Sequence, residues 1–308
     1  MGSLVIRIGM LGQSQGNGHP FSFSAILNGY EKARFKEAGW DVILDYLERQ
    51  PKEMFGLGDA RVTHVWTQFP RVTTQLRDAC LIPHAVERPE EMLGQVDAVI
   101  VARDDWECHA RLAMPFLKHG IPVFVDKPLT LNQNELGQFE PYLDSGRLMS
   151  TSGLRFAREL DAVKDKLPES GNIRLIQATV INEMEKYGIH MLDAVAALGV
   201  PAPVTILRLP TEHQAYLITL ANDSALLLNC LGRVSKTFHL SIFAEKRNLH
   251  VDLHDNFTAF RRTLGHFLQM VVDHIPPIDP RQVIGTMNLI RVAQTLQPGE
   301  TTRLASNV

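Results

Sequence analysis

Four short apolar runs in the first half of the chain restrict its fold more than any other feature. They are "LVIRIGML" (4–11), "RVTHVWTQ" (61–68), "VDAVIVAR" (96–103) and "PVFVDKP" (122–128). Helical patterns lie between them: a stretch beginning near "SFSAILNGYEKARFKEAG", then "PRVTTQLRDACLIP", where Val72, Leu76 and Ala79 keep helical spacing, then "CHARLAMPFLKHG". Strands apolar on both alternations have both faces covered, and strand–helix alternation with such strands predicts a parallel sheet with helices on both sides. The second half reads differently. Strand candidates follow one another at 173–182, 204–210, 215–221, 225–232, 238–245 and 248–255, and an amphipathic helix is expected over 257–275. Such a run of strands predicts an α+β domain with a large, mostly antiparallel sheet. The expected boundaries are 1–150 for an α/β, Rossmann-like dinucleotide-binding domain and 151–308 for an α+β substrate-binding and oligomerisation domain. A length of 308 residues accommodates both.

Charge and composition remove other classes. A formal net charge of -3 provides no footprint for nucleic acid or an anionic membrane. No apolar run approaches the ~18 residues needed to span a bilayer. The first strand is expected from Leu4, which leaves no room for a cleaved signal peptide, and Ile6 in "MGSLVI" occupies the position where myristoylation needs Ser or Thr. Cys80, Cys108 and Cys230 form no C-x-x-C pair, so reduced thiols and a cytoplasmic location are expected. No repeat of fixed period is present.

In open α/β sheets ligands bind at the carboxyl ends of the strands. The stretch "VFVDKPLTLN" (123–132) puts Lys127 there, at the end of a central strand, in front of a proline that restricts its backbone. After the first strand stand Gly12, Ser14, Gly16 and Gly18, without a strict G-x-G-x-x-G. Strand, glycine loop and helix in that order read either as a pyrophosphate cradle or as a plain turn.

Five ordered segments resemble the Gfo/Idh/MocA family of nicotinamide-dependent oxidoreductases, the glucose-fructose oxidoreductase and inositol dehydrogenase group. They are "IGMLG", the run from "VDAVIVARDDWECH" to Asp126-Lys127-Pro128, "GLRF" (153–156), "YGIHMLDAVAALG" (187–199) and "PGETTRL" (298–304). The resemblance implies a dehydrogenase or reductase acting on CH–OH groups of a sugar, nucleotide sugar or cyclitol, with NAD or NADP as cofactor, no metal, and a homodimer or homotetramer formed through the second domain. It implies Lys127, His190 and Asp193 as catalytic residues. Cofactor contacts are implied for Gly12, Ser14, Gly16, Gly18, Thr67, Gln68, Arg71, Ala102, Arg103, Trp106, His109, Asp126 and Lys127. Substrate contacts are implied for Lys127, Arg155, Lys186, Tyr187 and His190. Other readings are a nicotinamide-dependent glycosidase with transient oxidation and a non-catalytic nucleotide-binding member.

Three departures stand beside the resemblance. Thr67 and Gln68, with Arg71 nearby, replace the acid that holds the ribose hydroxyls of NAD, which leaves NADP open. Lys186 occupies the place of an aspartate four residues before the helix histidine. About forty residues separate the glycine loop from the second strand, and this insert, with Trp40, Tyr46 and Phe55, reads as an extra packed helix or as a cover for cofactor or partner.

The chemistry is expected between the domains, and hydride transfer needs a group to move the hydroxyl proton and another to polarise the oxygen. His190 and Asp193, three apart on a helix, share a face, which predicts an imidazole held in one tautomer by a carboxylate. In "HVDLHD", His250, Asp252 and His254 alternate along a strand and read as a polar solvent or subunit face, or less simply as metal ligands.

Overall fold

The computed structural model describes residues 5–304, and the chain divides into two units. One is Met1–Ser150 with Thr263–Pro277, and the other is Thr151–Arg262 with Ile278–Val308. The expected start of the first strand at Leu4, and the myristoylation reading that rests on residues 1–6, lie in part outside the described residues.

The first unit runs β1 (Arg7–Leu11), α1 (His19–Asn28), α2 (Lys32–Glu37), α3 (Asp41–Glu48), β2 (Arg61–Trp66), α4 (Pro70–Ala79), β3 (His84–Ala85), β4 (Ala98–Val101), α5 (His109–Lys118), β5 (Val123–Val125), α6 (Gln133–Asp144) and β6 (Leu148–Ser150). Its six strands are all parallel and ordered β3-β2-β1-β4-β5-β6. This is the doubly wound order, with its crevice where the winding reverses beyond β1 and β4. Every residue of β4 and β5 is buried, which is why these strands read as unbroken apolar runs. Two strands left no periodic trace. β3 is two exposed residues and β6 only three, and both form because a neighbouring strand offers its edge.

The insert after the glycine loop is self-packed. Trp40 lies 5.8 Å from Phe21, Phe21 5.7 Å from Phe35, and Tyr30 5.6 Å from Phe55. Tyr46 donates to the Ser22 hydroxyl at 2.5 Å, and burial raises its phenol above the ordinary range. Ile43, Leu44 and Leu47 form the buried stripe of α3. The extension is anchored at Gly18: a Cβ there would meet Ile43 Cδ1 at 2.3 Å and the Trp40 ring at 2.8 Å.

The second unit contains α7 (Asp161–Lys166), β7 (Ile173–Val180), α8 (Ile189–Ala196), β8 (Pro203–Arg208), β9 (Gln214–Leu220), β10 (Ala225–Cys230), β11 (Phe238–Ala244) and β12 (Asn248–Asp252). Helix α9 (Asn256–Asp273) starts in this unit and ends in the first, where Phe267 lies 5.8 Å from Phe124; α10 (Pro280–Thr295) and β13 (Thr301–Arg303) return to the second. The seven strands are ordered β12-β11-β7-β10-β9-β8-β13, and β7 with β10 is the parallel pair among antiparallel neighbours. Ile176, Ala178, Val180, Leu226, Leu228, Ile218 and Leu240 bury one face, and Tyr216 on that face reaches the Ala293 carbonyl of α10 at 3.4 Å. On the opposite face, Leu217 and Leu227 of the central strands stay half-buried. No described helix is long and apolar enough to cross a membrane.

Candidate active site

The glycine loop of the first unit is held from three sides. Gly12 has φ +77°, and a Cβ there would meet Arg103 Cδ at 2.2 Å, so glycine is required both for the turn and for the arginine stem that lies over it. Gly16 also has φ +77°, with open space beside it. The Gln68 side chain binds the backbone of Gln13 at both ends, donating to its carbonyl and accepting its N–H at 3.3 Å. Ser14 donates to Asp104 Oδ1 at 2.5 Å and accepts the Asp104 N–H at 3.1 Å. Glycines that permit a tight turn after β1, followed by a helix, fit a dinucleotide pyrophosphate. The N-terminus of α1 is partly committed, since Asn17 Oδ1 takes the His19 N–H and Pro20 has none.

At the end of β5, Asp126 and Lys127 are 2% and 4% exposed. The lysine ammonium lies 3.9 Å from Asp104 Oδ2, and the Lys127–Pro128 peptide is cis. Asp126 is saturated by its own chain. Its Oδ2 accepts from Asn17 Nδ2 at 3.0 Å and meets His19 Nδ1 at 2.6 Å, while Oδ1 accepts the Lys127 N–H at 2.9 Å. Burial alone would raise this carboxyl. His19, Lys127 and Asn17 outweigh burial and hold it at about 2. Asp126 therefore ties the glycine loop to the lysine strand.

Other expected cofactor residues are also committed elsewhere. Thr67 is buried, and its hydroxyl bonds Phe69 O and Thr73 Oγ1, both at 2.8 Å, so it shapes the entry to α4. His109 is fully buried between the carbonyls of Leu129 and Arg103, each at 2.9 Å, and staples two strand-end loops together. Ala102 is buried and extends the β1–β4 pairing through its N–H to Leu11 O. Arg103 pairs with Asp105, at 2.8 Å from Nε to Oδ1, with its stem over Gly12. Trp106 is half-buried at the start of the following turn, and Arg71 is exposed on the first turn of α4.

In the second unit His190 lies on α8, after a wide turn over Met184–Gly188. Gly188 leaves room for the Met184 thioether, whose Sδ would lie 2.4 Å from a Cβ there. The imidazole stands edge-on to Tyr187 at 5.6 Å and to Phe238 at 5.7 Å. Its Nδ1 is 2.6 Å from the Ser152 hydroxyl. The expected carboxylate partner is elsewhere: Asp193 Oδ2 accepts the Ser152 N–H at 2.6 Å and the Thr151 hydroxyl at 3.0 Å, and Oδ1 is 3.6 Å from Arg155. Sharing a helix face put Asp193 near His190, but the segment 151–155 comes between them. Burial raises the Asp193 carboxyl and lowers the Arg155 guanidinium, each opposed by the other's charge. Arg155 also donates to Gln282, so this buried pair links α8 and the 151–155 segment to α10. Lys186 is exposed in the turn before His190, and Tyr187 is half-buried against it.

Sequence reasoning missed His19, Asn17 and Asp104 in the first unit and Thr151, Ser152 and Gln282 in the second. "GHP" after a glycine loop was a signal for His19. Nothing local marks Ser152. In "HVDLHD", His250 and Asp252 join one chain, since Ser241 Oγ meets His250 at 2.9 Å and His239 at 2.7 Å while His239 pairs with Asp252 at 2.7 Å, whereas His254 stands apart, 3.4 Å from Glu159.

Strand order and glycine turn define the first unit as a dinucleotide-binding α/β fold, and a mixed-sheet unit follows it. Residues 38–142 match the family model described as "Oxidoreductase family, NAD-binding Rossmann fold". The "Putative UDP-kanosamine synthase oxidoreductase subunit" of Amycolatopsis mediterranei (strain S699) is 30% identical, over 36% of this chain and 37% of that protein. The chain thus matches little more than a third of the length of that curated relative. Apo scyllo-inositol dehydrogenase from Lactobacillus casei superposes with a TM-score of 0.78 at 13% identity, over 99% of this chain and 100% of that one. The same enzyme with bound NAD(H) and scyllo-inositol gives 0.75 at 14% identity, over 98% and 100%. GenD2 from gentamicin A biosynthesis, in complex with NAD, gives 0.75 at 13% identity, over 99% of each chain. These superpositions establish the fold.

Proposed function

We propose that this protein is an NAD-dependent oxidoreductase that moves a hydride between nicotinamide and a hydroxyl-bearing or carbonyl carbon of a sugar, nucleotide sugar or cyclitol. The observation that carries the reading is a buried ammonium, Lys127, at the carboxyl end of β5 in a sheet of dinucleotide-binding order. The family-model match, the scyllo-inositol bound by one structural relative and the UDP-sugar in the name of the Amycolatopsis relative support the same reading.

Residues around Gly12–Gly18, with Arg103 over the turn, would hold the dinucleotide, which supplies a hydride acceptor or donor when bound. Lys127 is assigned to polarise the reacting oxygen and His190 to exchange its proton, the role of a neutral imidazole near pH 7. Lys186, where an acid is expected, favours a substrate with a phosphate or carboxylate, and this favours a nucleotide sugar over a plain cyclitol. Gln68 is engaged with the glycine loop, so Arg71 is the candidate for recognising an adenosine ribose phosphate, and NADP is expected to bind beside NAD. The function is tested by incubating protein and NAD with panels of cyclitols, sugars and nucleotide sugars and recording net NADH formation. Calorimetric titration with both dinucleotides runs in parallel. Absence of binding of either dinucleotide would overturn the reading. Product release without net NADH would assign the glycosidase reaction instead.

A further inference from the structure

We infer that Ser152 is the positioning residue of His190, and that its hydroxyl rather than a carboxylate sets which ring nitrogen carries the proton. The inference rests on the reading of His190 as the proton-exchanging group. Ser152 is 1% exposed, and its Oγ lies 2.6 Å from His190 Nδ1 while accepting the Leu154 N–H at 3.2 Å. Asp193 acts one step back: it takes the Ser152 N–H and the Thr151 hydroxyl and thereby fixes the backbone that presents the serine. Tyr187 and Phe238, edge-on to the ring, restrict its remaining rotation.

The chemical consequence follows from the donor inventory. A carboxylate only accepts, so a His–Asp pair keeps the proton on the paired nitrogen. A hydroxyl both donates and accepts. With Ser152 Oγ accepting from Nδ1–H, Nε2 carries the lone pair and takes the hydroxyl proton of an alcohol under oxidation, and the ring becomes an imidazolium. In the reverse reaction that imidazolium returns the Nε2 proton to the oxygen of the carbonyl being reduced, and Nδ1–H stays on Ser152. With the serine turned to donate to Nδ1, the neutral ring holds its hydrogen on Nε2 and serves as a donor to a carbonyl oxygen. The hydroxyl rotation, together with loss of the Nδ1 proton to solvent water and gain of one at Nε2, therefore switches the neutral ring between proton acceptor and hydrogen-bond donor, the two states that the two directions of a reversible redox reaction use.

The test compares wild type, S152A, S152T, D193N and H190A. The His190 ring is followed by 15N NMR across pH, with H190A for assignment, alongside the pH profile of turnover and the melting temperature. S152A is expected to change the tautomer ratio and the titration midpoint of His190. It should lower kcat by roughly 10–100-fold, the usual loss when the outer partner of a functional imidazole is removed, with the KM for NAD unchanged. S152T, which keeps a hydroxyl, is expected to restore the wild-type profile. D193N should lower the melting temperature more than it moves the ring titration. An unchanged His190 titration in folded S152A overturns the inference, as does a D193N titration shift larger than that of S152A. An H190A enzyme that keeps wild-type turnover refutes instead the role of His190, and the NMR arm still reads the Ser152 contact.

Discussion

Lys127 and Asp126, adjacent in sequence, do opposite work. The lysine ends a buried strand with its ammonium at the sheet edge, whereas the aspartate is wholly spent on His19, Asn17 and the Lys127 amide. Lys127→Ala is therefore expected to lower the melting temperature modestly, through the lost charge beside Asp126 and Asp104, while turnover falls by about 10²–10⁴, the size of a lost proton-transfer or oxyanion contribution. His190→Ala should behave alike. If both groups act on one oxygen, the double variant loses less than the product of the two losses, which steady-state kinetics on the four proteins measures. Asp126 makes a prediction about pH. Its folded value of about 2 lies below the ordinary aspartate value of 3.8, so its stabilising contribution is present above pH ~4 and lost as pH falls toward ~2. The shift corresponds to about 2 kcal/mol. Asp126→Asn should flatten that segment of the stability-versus-pH curve, and urea melts at pH 2.5, 4 and 6 check it. A curve that keeps its wild-type slope would show that the His19 link stabilises nothing.

At the scale of elements, the glycine loop shows why one residue type recurs for different reasons. Gly12 and Gly16 hold positive φ, but Gly18 has φ -93° and is glycine because Ile43 and Trp40 of the insert leave no room for a Cβ. Gly18→Ala should therefore destabilise by about 1–3 kcal/mol through overpacking alone. Shortening the opposing side chain in the double variant Gly18→Ala/Ile43→Val should recover part of the loss in thermal melts, while Gly12→Ala has no such rescue. The insert illustrates what was legible. Trp40, Tyr46 and Phe55 announced a packed extension, but its anchor on the glycine loop depends on contacts made only after folding. Helix α8 repeats the lesson, since i,i+3 spacing put His190 and Asp193 on one face and could not reveal that Thr151 and Ser152 pass beside both.

At the scale of the molecule, the second sheet has one face whose central leucines stay half-buried. Paired rows run from Gln177 through Leu227 and Leu217 to Leu207, and the half-burial of leucines on central strands marks a face that the unit's own helices do not cover. A homo-oligomer formed through this face predicts that Leu227→Asp lowers the sedimentation coefficient to that of the single chain at micromolar concentration without unfolding the first unit. A monomeric wild type under the same conditions would refute it. The sequence by itself determined the two-part architecture, the parallel sheet, most of the second sheet and the edge on which Lys127 lies, because burial on both faces or one writes a period into the chain that survives without neighbours. The tertiary structure alone decided the short strands β3 and β6, the return of α9 to the first unit, the internal partners of Asp126, Thr67, His109 and Arg155, and the Ser152 contact to His190. Each of these depends on hydrogen bonds or edges between residues distant in sequence, and a donor's choice of acceptor leaves no mark on the residues beside it.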